Sequence, residues 1–204
     1  MGNSIFIDGI NTNEMNYSDT YWDDLRVATT STKLEGTKDP DFAKFKDNGA
    51  GSQGVFTYWF DAATEEEVYF AVQIPHSYKY GTDLHPHVHW APSTNGGAGE
   101  VVSWGLEYCF AEIGGTYGNS NIIYGNAHMP ADASLVAFKH YLTEIDIISG
   151  STIDSISSMI ICRLFRNATG AGSSTDSFGN DAALLEFDIH FEIDSPGSKT
   201  EYAK

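Results

Sequence analysis

The chain has 204 residues, with 28 acids against 11 bases and a formal net charge of −17. Binding nucleic acid requires clustered Lys and Arg to displace counterions, so this balance argues against a nucleic-acid partner. No run is apolar enough to span a bilayer, which argues against a membrane partner, and no signal peptide is evident.

The length suits one domain of good size with a real core. Aromatics make up 13% of the chain and glycines number 20, while no long segment carries a helical period. Both features point to an all-β protein rich in turns. Cys109 and Cys162 lie inside apolar stretches and read as buried thiols; the sequence does not say whether they meet. Met1-Gly2 opens like a myristoylation signal, but Phe6 occupies the place of Ser or Thr. The sequon at Asn167 means little without a secretory route.

Residues 1–50 are polar and weakly patterned, apart from a short candidate strand at Ile5-Phe6-Ile7, and read as an N-terminal arm with a first loop region. Within it, Tyr21-Trp22-Asp23-Asp24-Leu25-Arg26 stands out. Trp22 and Leu25 either pin the arm to its own domain or dock it on a neighbour. Gly49-Ala50-Gly51-Ser52 marks a turn, and residues 51–204 read as the folded domain.

Strands then follow at short intervals: Val55–Phe60, Val68–Ile74, His85–Trp90, Glu100–Ile113, Ile122–Tyr124, Leu135–Ile147 and Met159–Phe165. A Gly/Ser/Thr loop over 168–180 precedes the clearest strand, Ala183–Asp194. There Leu185, Phe187, Ile189, Phe191 and Ile193 alternate with Glu186, Asp188, His190, Glu192 and Asp194. Alternation places the first set in a core and the second in water. About eight strands suit a two-sheet antiparallel sandwich, with the jelly roll ahead of an up-and-down barrel.

The most unusual segment is Leu84-His85-Pro86-His87-Val88-His89-Trp90. If extended, it points His85, His87 and His89 to one face and Val88 and Trp90 to the other, and Pro86 places it at a sheet edge or strand start. Histidines two apart on a strand can reach one ion. Gly81, His87 and His89 match the opening of the first motif of the cupins, a jelly-roll metalloenzyme superfamily. Ser93 and Thr94 stand where that motif wants Glu, and Ile123 stands where the second motif wants Pro before Gly125 and His128. A cupin-like site would use His87, His89 and His128. With its carboxylate missing, the expectation is no metal and no cofactor, the histidines serving packing or subunit contact. No Gly-x-Ser-x-Gly elbow, phosphate loop or His-Glu-x-x-His occurs. Paired acids such as Glu186 and Asp188 read as a solvated face.

Four blocks in order, Tyr21–Arg26, Leu84–Trp90, Cys162-Arg163-Leu164-Phe165-Arg166 and Leu184–Asp194, resemble a family of small proteins encoded among the virion genes of tailed bacteriophages. The resemblance implies a virion structural protein without enzyme activity, assembled in the host cytoplasm. The expectation is a head decoration (cement) protein that binds the major capsid protein on the outer capsid surface as a homo-oligomer, a trimer. Tyr21, Trp22, Leu25 and Arg26 would dock it, and His85, His87 and His89 would make subunit contacts. The rivals are a tail, collar or fibre component, a carbohydrate-binding sandwich, and a cupin-like metal-dependent enzyme.

Overall fold

In the computed structural model, residues 21–128, 131, 134–172 and 174–204 are described; the candidate strand at Ile5-Phe6-Ile7 lies outside them. Ten strands occur among the described residues: β1 (Tyr21–Ala28), β2 (Asp41–Lys46), β3 (Val55–Phe60), β4 (Glu67–Gln73), β5 (His85–Pro92), β6 (Trp104–Ala111), β7 (Asn121–Gly125), β8 (Tyr141–Glu144), β9 (Met159–Arg166) and β10 (Ala182–Ile193). A single 3-10 turn, Thr29–Ser31, follows β1.

One sheet has the order β2-β3-β10-β5-β8, with β1 also on β10, and the other has β4-β9-β6-β7. Every named pairing is antiparallel. From β3 onward each connection crosses between sheets, except the β6–β7 hairpin. Strands β3-β10-β5-β8 over β4-β9-β6-β7 form the double Greek key of a jelly roll. The all-β jelly-roll sandwich expected from strand spacing is the architecture found.

Two strands exceed the expected eight, and both fall in the stretch read as an arm. Residues 21–28 pair with β10 over their whole length, Tyr21 opposite Ile193 through Ala28 opposite Glu186. Strand β2 pairs with β3. The boundary at residue 50 is therefore corrected: from Tyr21 on, this stretch belongs to the six-stranded sheet. Its alternation is weak because Asp23 shares a face of β1 with Leu25 and Val27 while Trp22 shares the other with Asp24 and Arg26.

The core lies between the sheets, with Trp90, Trp104, Tyr78, Tyr141, Phe60, Phe178 and Phe187 fully buried in it or at its margin. Strand β10 is shared: residues 182–184 pair with β3, residues 186–193 with β1, and β5 runs along its other edge. A bulge between Leu184 and Glu186 shifts the alternation. Leu184 thus enters the core, and Leu185, expected there, is only half-buried. On the other sheet Cys162 sits in the core opposite Tyr108, while Cys109 is opposite Ile161 and points to the outer face. Both thiols are free, and burial pushes the Cys162 thiol up to about 12.

Arg166, at the end of β9, is the largest buried charge in the fold and wholly inaccessible. Its guanidinium donates to both carboxylate oxygens of Asp176 at 2.9 Å and to the carbonyls of Phe60, Phe178 and Asn180. One side chain thereby ties the 168–180 loop to β3. A planar five-donor fork is needed for that, which Lys could not supply.

Candidate functional site

The outer face of the six-stranded sheet gathers polar side chains from four strands. Strand β5 alternates as its sequence suggests: Val88 and Trp90 enter the core, and His85, His87 and His89 face outward. Across β10, His85 is opposite His190, His87 opposite Asp188 and His89 opposite Glu186. Across β8, Glu144 is opposite His87. On the far side of β10, Asp24 is opposite His190 and Arg26 opposite Asp188. His140, just before β8, places its Nε2 2.8 Å from His89 Nδ1. Five of the seven histidines thus share one sheet face.

Asp188 is the centre of this group. On an outward face it was expected to meet water, yet it is only 4% exposed. Imidazoles cover it: His89 Nε2 lies 3.1 Å from Oδ2, His190 Nε2 3.6 Å from Oδ2, and His87 Nδ1 3.4 Å from Oδ1. Arg26, directly opposite, turns away and makes a bidentate pair with Glu186 at 2.8 and 2.9 Å. Among the described residues, the basic groups against Asp188 are histidines. Burial favours its neutral form, but the imidazoles of His87 and His89 set against it outweigh this and hold the carboxyl well below the usual carboxylate range. The Asp188 hydrogen bond in turn raises His89 against the opposing effect of burial. His140 is lowered, first by burial and then by repulsion from His89.

The group is accessible from one side. A pocket of about 380 Å³ is lined by Trp22, His85, His87, Glu144 and His190. Trp22 packs edge-on against His85 with ring centroids 5.2 Å apart, yet keeps half its surface in solvent. Tyr21 is similarly exposed. Of the other members of the Tyr21–Arg26 set, Leu25 packs against the core and Arg26 pairs with Glu186.

The cupin-like set His87, His89 and His128 is not assembled. His128 packs against the faces of Trp90 and Tyr141, side chains that enter the core, whereas His87 and His89 leave the opposite face of β5. A strand cannot direct alternate residues to one ion through its own sheet. The residues that join His87 are Asp188 and His190, whose ligand atoms lie within 4.8 Å of one another. Sequence reading placed both on the polar face of β10 but gave no register against β5.

A second surface feature lies at the β2 edge. Phe56, Tyr58 and Phe60 alternate along β3 toward the inner side, where Phe60 is buried, but Phe56 remains 46% exposed. Phe42 on β2 stacks on Phe56 at 5.9 Å and on Tyr58 at 5.3 Å and is 59% exposed. Val55 beside them is 62% exposed. The six-stranded sheet is wider than its partner, and the overhang leaves these side chains uncovered by any described residue.

No helix among the described residues is long and apolar enough to cross a membrane. No protein-family model and no curated protein matches the chain. Among solved structures, the enzymatically active domain of tailspike protein 4 of bacteriophage CBA120 aligns with 84% of this chain at 9% identity and a TM-score of 0.36. The carbohydrate-binding and catalytic modules of a Clostridium thermocellum endo-1,4-β-D-xylanase, complexed with xylohexaose, align with 93% at 10% identity and a TM-score of 0.34. The chain spans 19% of the first protein and 29% of the second.

Proposed function

We propose that the chain is a structural subunit of a tailed-bacteriophage virion, a head decoration protein that binds the outer capsid surface as a homotrimer and bridges major capsid proteins. In this reading it performs no reaction, and its site is a contact surface. The four sequence blocks quoted above support the virion assignment. The observation that carries the oligomeric part is the overhang at β2, where Phe42 and Phe56 stack on each other and form an exposed apolar patch. Contiguous exposed apolar surface of this kind marks an interface, and a second copy of this chain is the occupant proposed. Trp22, half-exposed on the outer face of the same sheet beside His85, is the group proposed to meet the capsid.

Light scattering on the purified protein tests the first half, and co-sedimentation with expanded capsids the second. The native chain should be trimeric and bind, and F42S/F56S should be monomeric with unchanged circular dichroism. A native chain that stays monomeric at about 10 µM, a concentration at which a micromolar interface would be largely formed, refutes the oligomer. Particles carrying only a few copies would place the protein in the tail, collar or fibre.

A further inference from the structure

His87 and Asp188 face each other across β5 and β10 at 3.4 Å, and neither His87 Nδ1 nor Asp188 Oδ1 has a hydrogen-bond partner, although both atoms are buried. The two residues are 6% and 4% exposed. A buried imidazole nitrogen and a buried carboxylate oxygen left unpaired each cost about 1–3 kcal/mol. A directly opposed pair on adjacent strands could close to a normal hydrogen bond, and this one does not. His190, two residues along β10, completes a triangle: its Nε2 is 3.6 Å from Asp188 Oδ2, and its ring centroid is 4.0 Å from that of His87.

These spacings have a simple interpretation. An ion with bonds of about 2.0–2.1 Å to nitrogen and oxygen, in tetrahedral geometry, holds its ligand atoms about 3.3–3.4 Å apart. The 3.4 Å between His87 Nδ1 and Asp188 Oδ1 matches that edge, and one ligand atom from each of His87, Asp188 and His190 lies within 4.8 Å of the other two. Two imidazoles and one carboxylate form a donor set for divalent first-row metals of borderline softness rather than for calcium or magnesium. The fourth position opens into the pocket bordered by Trp22, His85 and Glu144, where water or the Glu144 carboxylate can complete the shell. His89 Nε2 already holds Asp188 Oδ2, leaving Oδ1 as the oxygen for the ion, and binding would take His190 Nε2 from Asp24, 3.1 Å away. The net charge of −17 adds a general field favouring a cation.

We propose that His87, Asp188 and His190 bind one divalent transition-metal ion, of which zinc is the type, clamping β5 to β10 on the outer sheet face. The proposal is independent of where on a particle the protein sits.

The test uses full-length protein stripped with chelator, dialysed against zinc chloride and analysed for metal, with cobalt substitution as a spectroscopic readout. Close to one zinc per chain is expected, together with cobalt bands in the visible of tetrahedral intensity and a rise in melting temperature with zinc. H190Q alters a partly exposed residue and should keep its fold while binding at least about tenfold more weakly. H76Q, whose imidazole is engaged with Ser157 and Ser198 away from this face, should bind as the native chain does. D188N adds to the case if it folds, but H190Q decides the matter without it. Less than about 0.1 equivalent of zinc in the native protein, where a structural site fills almost completely, overturns the proposal. So does H190Q retaining native zinc content and cobalt spectrum.

Discussion

Replacing Arg166 with Met tests whether a single buried cation holds the loop over 168–180 to the sandwich. The side chain is wholly buried and its partner Asp176 is 3% exposed, so no bulk water screens the pair. Met fills most of the volume, so the loss is electrostatic rather than steric. It removes two charge-assisted bonds to Asp176 and three to the carbonyls of Phe60, Phe178 and Asn180. Summing five such bonds at face value overstates the effect, since water can enter beneath a loosened loop. Removing one partner of a buried ion pair costs about 3–5 kcal/mol, the larger part being the carboxylate left behind. In a domain of this size that lowers the melting temperature by about 6–20 °C. Urea unfolding followed by fluorescence of the four tryptophans measures it directly. R166M/D176L should recover part of the loss, because no charge is then stranded. A cost below about 1 kcal/mol for R166M, or strict additivity of the two substitutions, would refute the account.

Two further outcomes follow from local geometry. Burial, with Asp61, Asp41 and Asp181 nearby, pushes the Glu66 carboxyl up to about 7 from an ordinary 4.5. The folded chain then holds more protons than the unfolded one between those values, so stability falls as pH rises from about 4.5 to about 7 and levels off above. Because Glu66 is partly exposed, the effect should be near 1 kcal/mol; E66Q should lose this slope, and identical urea midpoint profiles at pH 5 and pH 8 for both proteins would disprove the assignment. Gly105 lies under the ring of Phe165, where an added Cβ would come within 2.2 Å of Cζ. G105A should therefore destabilise by about 1–3 kcal/mol through displacement of that ring, and G105A/F165A costing no more than F165A alone is the check.

The likeness between expectation and fold is uneven, and particular strands show why. Strands β5 and β10 announce themselves because each carries large apolar groups on one face and ionisable groups on the other, a period that only a strand converts into two surfaces. The outward aim of His85, His87 and His89 follows from the same alternation. Strands β1 and β2 do not announce themselves: β1 is mostly exposed, and its place in the sheet comes from backbone pairing with β10, which leaves no apolar signature. The bulge at Leu185 is likewise a property of the pairing, and it decides which of two leucines is buried.

The polypeptide by itself determined a two-layered β body, because alternating hydrophobicity is a local property that survives without knowledge of partners. It also determined which side chains leave each sheet face. Tertiary structure alone decided that Asp188 would be buried rather than solvated, that Arg26 would serve Glu186 and leave Asp188 to histidines, and that His190 rather than His128 would stand beside His87. Those outcomes depend on register between strands about 100 to 160 residues apart in sequence, and a one-residue slip would turn every one of these side chains to the other face.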